Sequence, residues 1–343
     1  MIQHLIPISA LALVLLLSGC GAQTPMPGSQ EPEGATTVET TFTVDTPIQT
    51  VMDDPAFGDY GRLLFPTDDG YWSGETLGDL RLTFYSHIDP SETVEIVNSL
   101  KERALAGETI FYDIYTDEEK AADPDKEDTG LFFFKGEPGA RFAVCNAGGA
   151  FAYVGAMHDS FPHALELSKQ SYNAFALIYR PGAQTACEDL ARAITFIFGH
   201  AEELEVDTSC YSLWGGSAGA RMAAWLGTYG PAAFGGNDLP RPGAVIMQYT
   251  GLSEYSTDDP PTFVCVGDSD GIAPWRVMQA RLEAMSACGI DTEFHCYPGL
   301  GHGFGLGTGT PAEGWLDLAV QFWERQIGKT RLSSPHRRFQ NCE

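Results

Sequence analysis

The sequence predicts an α/β protein built on a mostly parallel, doubly wound sheet of about eight strands, with helices on both faces. From about residue 110, short apolar runs alternate with longer runs of helical character, which is the pattern of strand–helix–strand units. From residue 142 most apolar runs are continuous, as expected for parallel strands covered on both faces. The first two runs are joined by an acidic stretch and are predicted to pair as an antiparallel edge.

The predicted elements follow this rhythm. Strands are predicted at the apolar runs 109–115, 131–135, 142–146, 174–179, 210–214, 244–250, 262–267 and 292–297. Helices are predicted near 160–170, 185–204, 218–228, 275–288 and 312–327. Residues 55–108 do not follow the rhythm and are predicted to be an N-terminal extension packed on the sheet, with a helix capped by Ser91. We expect residues 51–328 to form a single domain that includes this extension.

Residues 1–19 are typical of a signal peptide. Their apolar stretch, residues 5–17, is too short for a transmembrane helix, and the following Ser-Gly-Cys resembles the end of the lipobox of bacterial lipoproteins. That resemblance implies cleavage before Cys20, a lipid on this cysteine, and an exported protein anchored to the cell membrane. An ordinary secretory signal is the alternative. Residues 20–50 are predicted to be a disordered tether, and residues 329–343 a flexible tail.

The charge of the chain disfavours some partners. Acidic residues outnumber basic residues 46 to 20, and the formal net charge is −26. A surface of this sign repels phosphate backbones, so we expect no nucleic-acid partner. The same charge disfavours acidic substrates.

The cysteine content leaves two interpretations open. Besides Cys20 the chain has Cys145, Cys187, Cys210, Cys265, Cys288, Cys296 and Cys342. Export would permit disulfides, but the number is odd and four of these cysteines lie in apolar strand-like runs. This favours buried free thiols, which pack as small hydrophobic groups, over a disulfide framework. No Cys-x-x-Cys pair or tight His/Cys cluster indicates a structural zinc site.

Ser217 lies in the sequence Gly-Gly-Ser-Ala-Gly, between a predicted strand and a predicted helix. Small residues at positions 215, 216 and 219 allow a tight strand-to-helix turn, which would expose the serine oxygen at the carboxyl edge of the sheet. The helix N-terminus would stabilise negative charge that develops beside it. Because a serine hydroxyl is a weak nucleophile, it also needs a base and a group that orients the base. The alternative is a glycine-rich turn without chemistry.

Candidates for the base and the acid follow later strands. His302 lies in a glycine-rich loop directly after the last predicted strand, at the same edge as the serine, and is the predicted base. His158 and His163 also follow a strand and could line the pocket. Asp268 and Asp270 both follow the seventh predicted strand. The chain order of serine, aspartate and histidine matches that of the α/β-hydrolase triad.

Residues 147–151, Ala-Gly-Gly-Ala-Phe, follow the third predicted strand. They resemble the His-Gly-Gly-Gly-[Phe/Tyr] loop of lipases and esterases, with alanine in place of the histidine and of the last glycine. By that match the backbone N–H groups of Gly149 and Ala150, together with that of Ala218, would form the oxyanion hole.

Residues of about 109–327 therefore resemble an α/β-hydrolase, nearest to the compact esterases related to hormone-sensitive lipase and to acetyl-xylan or feruloyl esterases. Enzymes of this kind place the acid in a G-x-x-D-x-x-[VA]-P pattern, which here selects Asp270. Asp268 is then expected to cap its own turn. The resemblance implies a serine esterase with a Ser-Asp-His triad and an acyl-enzyme intermediate, and no metal or organic cofactor.

The expected substrates are small-molecule or carbohydrate esters with short acyl groups. The segment between the sixth and seventh predicted strands is too short for a large lid, so any pocket cover is expected from residues 55–108 or 229–242. A serine peptidase of the same fold is one alternative, although about sixty residues before the sheet cannot form the propeller of the prolyl-oligopeptidase type. A catalytically silent binding module is the other alternative.

Overall fold

The computed structural model describes residues 41–333, so the predicted signal peptide, Cys20 and most of the predicted tether lie outside this range. The tether prediction is wrong for residues 41–50, because Phe42 and Ile48 are only 4% and 2% exposed and pack into the core. The predicted tail also begins too early, since the last helix continues to Ser333.

Eight strands form the main sheet. In chain order they are β1 (Phe111–Tyr112), β2 (Gly130–Phe134), β3 (Arg141–Asn146), β4 (Asn173–Ile178), β5 (Asp207–Gly216), β6 (Ala244–Gln248), β7 (Thr262–Gly267) and β8 (Thr292–Tyr297). Across the sheet they lie in the order β1-β2-β4-β3-β5-β6-β7-β8. Neighbours from β4 to β8 pair in parallel. Strand β2 is antiparallel to both β1 and β4, so the predicted sheet and its antiparallel edge are confirmed.

Eight α-helices accompany the strands within residues 41–333. They are α1 (Ile48–Met52), α2 (Pro90–Leu105), α3 (Asp117–Ala122), α4 (Ser160–Lys169), α5 (Ala183–Gly199), α6 (Ala218–Tyr229), α7 (Trp275–Ala287) and α8 (Trp315–Ser333). No helix in this part of the chain is long and apolar enough to cross a bilayer.

The sheet separates two hydrophobic cores. Helices α2, α4 and α8 contribute to the core on one face, and α5, α6 and α7 to the core on the other. Successive residues of β3 alternate between the two cores, with Cys145 in one and Val144 in the other. All residues of β2, β4, β6 and β7 are buried, which explains why the apolar runs are continuous.

The N-terminal extension packs on the same face as α4 and α8. It also contains a two-stranded sheet of Trp72–Ser73 and Arg81–Leu82. Its helix α2 begins after Asp89, whose carboxylate accepts the N–H of Ser91 at 2.9 Å, so Ser91 is not the N-cap. Pro90 favours this earlier start, because its fixed φ suits the first position of a helix.

The cysteines of the described chain include buried and exposed thiols. Cys145, Cys187 and Cys265 are free and buried, whereas Cys288 and Cys296 are free and exposed. Burial raises the pKa of Cys187 to about 12, so this thiol is protonated at neutral pH and packs as a hydrophobic group. Cys342 lies outside the described residues.

Candidate active site

Ser217 lies at the sharp corner between β5 and α6. Its backbone has φ 51° and ψ −114°, a conformation that residues other than glycine rarely adopt. Neighbouring glycines allow this corner to pack closely. A Cβ on Gly215 would lie 2.3 Å from the carbonyl carbon of Gly219, and a Cβ on Gly219 would lie 2.0 Å from the carbonyl oxygen of Asn146. The surrounding backbone therefore holds the serine in a strained position.

Three of the predicted site residues form one hydrogen-bonded line. Nε2 of His302 lies 3.0 Å from Oγ of Ser217, and Nδ1 of His302 lies 2.7 Å from Oδ2 of Asp270. The Asp270 side chain is fully buried, and that of His302 is 6% exposed. Oδ1 of Asp270 also accepts the N–H groups of Ile272 and Ala273, at 2.7 and 2.8 Å. This arrangement can hold the imidazole with its proton on Nδ1 and with Nε2 free to accept the serine proton.

Asp268 has a different role from the predicted one. Its Oδ1 accepts the N–H of Gly299 at 2.7 Å and the hydroxyl of Ser269 at 2.9 Å, so it ties the end of β7 to the loop after β8. The local turn bonds expected of Asp268 are made by Asp270. The prediction that Asp268 caps its own turn is therefore wrong.

The predicted oxyanion donors lie around the serine. Ala150 and Ala218 line the same pocket as Ser217 and His302, whereas Gly149 does not line it. Gly149 has φ 128°, and a Cβ there would lie 2.1 Å from a carbonyl oxygen. Within residues 41–333 the N–H groups of all three residues donate to no protein acceptor. Those of Ala150 and Ala218, which line the pocket, are therefore available to an oxygen atom of a bound substrate.

A buried carboxylate, Asp159, lies behind this loop and was not found by sequence reasoning. It is 0% exposed and accepts hydrogen bonds from the N–H of Gly148 at 2.6 Å, the hydroxyl of Tyr249 at 2.8 Å and the hydroxyl of Tyr85 at 3.0 Å. A Cβ on Gly216 would lie 2.5 Å from both carboxylate oxygens. Asp159 thus links the loop after β3, the chain after β6 and the N-terminal extension beside the nucleophile.

The environment of Asp159 makes its charge costly. Burial raises its pKa from 3.8 to about 6, although the hydrogen bonds from Gly148, Tyr249 and Tyr85 act in the opposite direction. The only signal in the sequence is an acidic residue within a mostly apolar segment. Aspartate is mostly exposed in folded proteins, so the burial of Asp159 could not be predicted.

Replacing Asp159 with asparagine should change how stability depends on pH. A carboxyl whose pKa is higher in the folded state contributes stability that is complete below its unfolded pKa of about 4 and is lost as the pH rises through about 6. The wild type should therefore lose up to about 3 kcal/mol relative to Asp159→Asn between pH 4 and pH 7. Urea unfolding of both proteins at these two pH values measures this difference, and an equal difference at both values would contradict the assignment.

His158 and His163 do not line the pocket, so that prediction is wrong. They are 5% and 1% exposed, and burial lowers the pKa of each to about 3. Both imidazoles are therefore neutral at physiological pH, and the 3.8 Å approach of His163 to Asp159 is not an ion pair. Both side chains are buried in the protein interior and have no access to the pocket.

The pocket that Ser217 and His302 line contains residues of neither segment that was expected to cover it. Its lining contains no residue from 55–108 or 229–242. The extension instead braces the histidine loop, because the N–H of Ser86 lies 3.2 Å from the carbonyl oxygens of both His302 and Gly303. Within residues 41–333 no group of three or more His, Cys, Asp or Glu side chains is placed to hold a metal ion.

Comparison with known proteins shows likeness at the level of the fold. The BD-FAE family model matches residues 137–239, which is less than half of the chain and includes Ser217 but neither Asp270 nor His302. A search of curated proteins finds no match.

Three solved structures illustrate the likeness. An acetyl ester-xyloside bifunctional hydrolase from Caldicellulosiruptor lactoaceticus is 21% identical, with a TM-score of 0.55 over 64% of this chain and 96% of its own. A propionate-bound esterase from Thermogutta terrifontis is 22% identical, with a TM-score of 0.50 over 59% and 90%. An alpha/beta hydrolase from a Medee basin deep-sea metagenome library is 21% identical, with a TM-score of 0.50 over 58% and 93%. The chain adopts the α/β-hydrolase fold.

Proposed function

We propose that this protein is a serine hydrolase that cleaves carboxylic esters. The observation that carries the proposal is the line from Oγ of Ser217 through His302 to Asp270, with contacts of 3.0 and 2.7 Å. A fold hosts many functions, so the proposal rests on these side chains.

The proposed reaction has two stages. Oγ of Ser217 attacks the ester carbonyl carbon while Nε2 of His302 accepts the hydroxyl proton, and the N–H groups of Ala150 and Ala218 stabilise the oxyanion. The carbon–oxygen bond to the alcohol then breaks, and His302 returns the proton to the leaving oxygen. In the second stage a water molecule attacks the acyl-enzyme, His302 accepts a proton from this water, and the acid leaves as Ser217 regains its own proton. Asp270 stabilises the positive imidazolium in both stages.

The proposed substrates are short-chain esters of small molecules or carbohydrates, as cleaved by compact esterases related to hormone-sensitive lipase and acetyl-xylan or feruloyl esterases. The pocket around Ser217 holds about 340 Å³, which is at the small end of ligand sites. Two of the similar structures are an acetyl ester-xyloside hydrolase and an esterase with bound propionate.

The test is a comparison of p-nitrophenyl acetate, p-nitrophenyl palmitate and a prolyl p-nitroanilide as substrates of the purified protein. We expect measurable turnover of the acetate, at least tenfold lower kcat/KM for the palmitate, and no turnover of the anilide. Faster cleavage of the anilide would favour the serine peptidase, and no turnover by the folded protein would favour a silent binding module.

We also propose that the protein is a lipoprotein held at the membrane surface through Cys20. The support is the sequence alone, because the residues up to 40 lie outside the described part of the chain. In a bacterial host the wild type should begin at Cys20 and partition into detergent, and Cys20→Ser should partition into the aqueous phase. Cys288→Ser, which removes an exposed thiol from the folded part, is the matched control. Identical partitioning of the Cys20→Ser form would refute the anchor.

A further inference from the structure

The pocket that Ser217 and His302 line contains one arginine that the proposed reaction does not use. Arg221 lies one helical turn after Ser217 in α6, where its backbone N–H donates to the carbonyl oxygen of Ser217 at 3.3 Å. Arg221 lines the pocket together with Ser217 and His302. Among the described residues in this lining, Arg221 carries the only permanent charge.

The guanidinium of Arg221 has unused hydrogen-bonding capacity. An arginine side chain has five N–H donors, and the bond recorded for this one is a long contact of 3.4 Å to the carbonyl oxygen of Gly251. Within residues 41–333 no carboxylate pairs with it, although the chain has a large acidic excess. Seven other arginines of the described chain pair with acidic side chains, namely Arg62, Arg103, Arg141, Arg180, Arg192, Arg281 and Arg325. Arg81 and Arg241 instead donate to backbone carbonyl oxygens, and Arg276 lies over the ring of Trp275.

The carboxylates of Asp270 and Asp159 already have hydrogen-bond partners within the protein. Asp270 accepts two backbone N–H groups and contacts His302. Asp159 accepts three hydrogen bonds and is 0% exposed. Neither lines the pocket, so neither competes with a substrate for Arg221. The lining of the pocket thus contains one arginine and no carboxylate, although the protein is strongly acidic.

We propose that Arg221 binds a carboxylate carried by the ester substrate, on either its acyl part or its alcohol part, and so makes the enzyme selective for anionic esters. The inference rests on the proposed ester hydrolysis. The net charge of the whole chain disfavours acidic substrates, whereas Arg221 makes this pocket favour them. Guanidinium is the side-chain group best suited to bind a carboxylate, because its planar N–H groups match both oxygens.

The test uses two pairs of esters that differ in charge. In the first pair, mono-p-nitrophenyl glutarate carries a carboxylate on its acyl part and p-nitrophenyl valerate does not. In the second pair, 4-acetoxybenzoate carries a carboxylate on its alcohol part and 4-acetoxybenzamide does not. The measured quantity is the ratio of kcat/KM for the anionic ester to that for its neutral partner, in which any general loss of activity cancels.

In Arg221→Gln this ratio should fall about ten- to a hundredfold in one of the pairs, which identifies the side of the ester that carries the charge. Arg241→Gln is the matched control, because Arg241 is exposed and donates to the carbonyl oxygen of Asp258, outside this pocket. Arg221→Met is the second variant should the glutamine form not fold.

The outcomes separate the two proposals. Ratios within twofold of the wild type in both pairs, with the neutral esters still cleaved, would overturn the role of Arg221 and leave ester hydrolysis standing. A wild type that cleaves none of the four esters would overturn ester hydrolysis itself.

Discussion

A Ser217→Ala variant is expected to lose about six orders of magnitude in kcat for p-nitrophenyl acetate. The alanine keeps the Cβ, so the strained corner between β5 and α6 is preserved, but the atom that attacks the carbonyl carbon is missing. Without it His302 has no hydroxyl to deprotonate, and the acyl-enzyme cannot form. Initial rates measured at saturating substrate, beside the circular dichroism spectrum of the variant, give the result.

The matched control for this loss is Ser269→Ala. Ser269 lies in the turn after β7 and donates its hydroxyl to Asp268, so its removal takes away a serine from the same edge of the sheet. Its kcat should stay within about threefold of the wild type. A folded Ser217→Ala protein that keeps more than about a hundredth of the activity would show that the nucleophile lies elsewhere.

An Asp270→Asn variant is expected to lose about three to four orders of magnitude in kcat. Oδ1 of Asp270 accepts two backbone N–H groups, so an asparagine here must keep its oxygen in that position. Its NH₂ group then faces Nδ1 of His302 and forces the imidazole proton onto Nε2. In that tautomer the histidine cannot accept the proton of Ser217, and KM should change far less than kcat.

Asp268→Asn is the control for this prediction, because it makes the same change two residues away. Asp268 is bonded to Gly299 and Ser269 and not to His302, so the variant should keep most of its kcat and lose stability instead. A larger loss of turnover at Asp268 than at Asp270 would contradict the assignment of the acid while leaving the other two residues in place.

The parts of the molecule that the sequence predicts are those governed by local physics. Continuous apolar runs separated by helical runs are sufficient for the α/β fold, because parallel strands must be covered on both faces. Chain order and glycine spacing placed Ser217 and His302 at ends of strands, and the ends of parallel strands share one edge. The distances among Ser217, Asp270 and His302 needed the structure, since spacing along the chain does not give them.

The features that the sequence missed depend on contacts between distant segments. Asp159 is buried because Gly148, Tyr85 and Tyr249 converge on it from three parts of the chain. The predicted tether extends too far because Phe42 is covered by a core built from later residues. No local pattern in composition or periodicity reports such contacts.

Active-site labelling tests most directly whether Ser217 is a covalent nucleophile. The full chain would be treated with a fluorophosphonate probe, digested and analysed by tandem mass spectrometry, with heat-denatured protein as the control. We expect one stoichiometric adduct on Ser217 in the folded protein and none after denaturation. An adduct on another residue, or no adduct on a correctly folded protein, would contradict it.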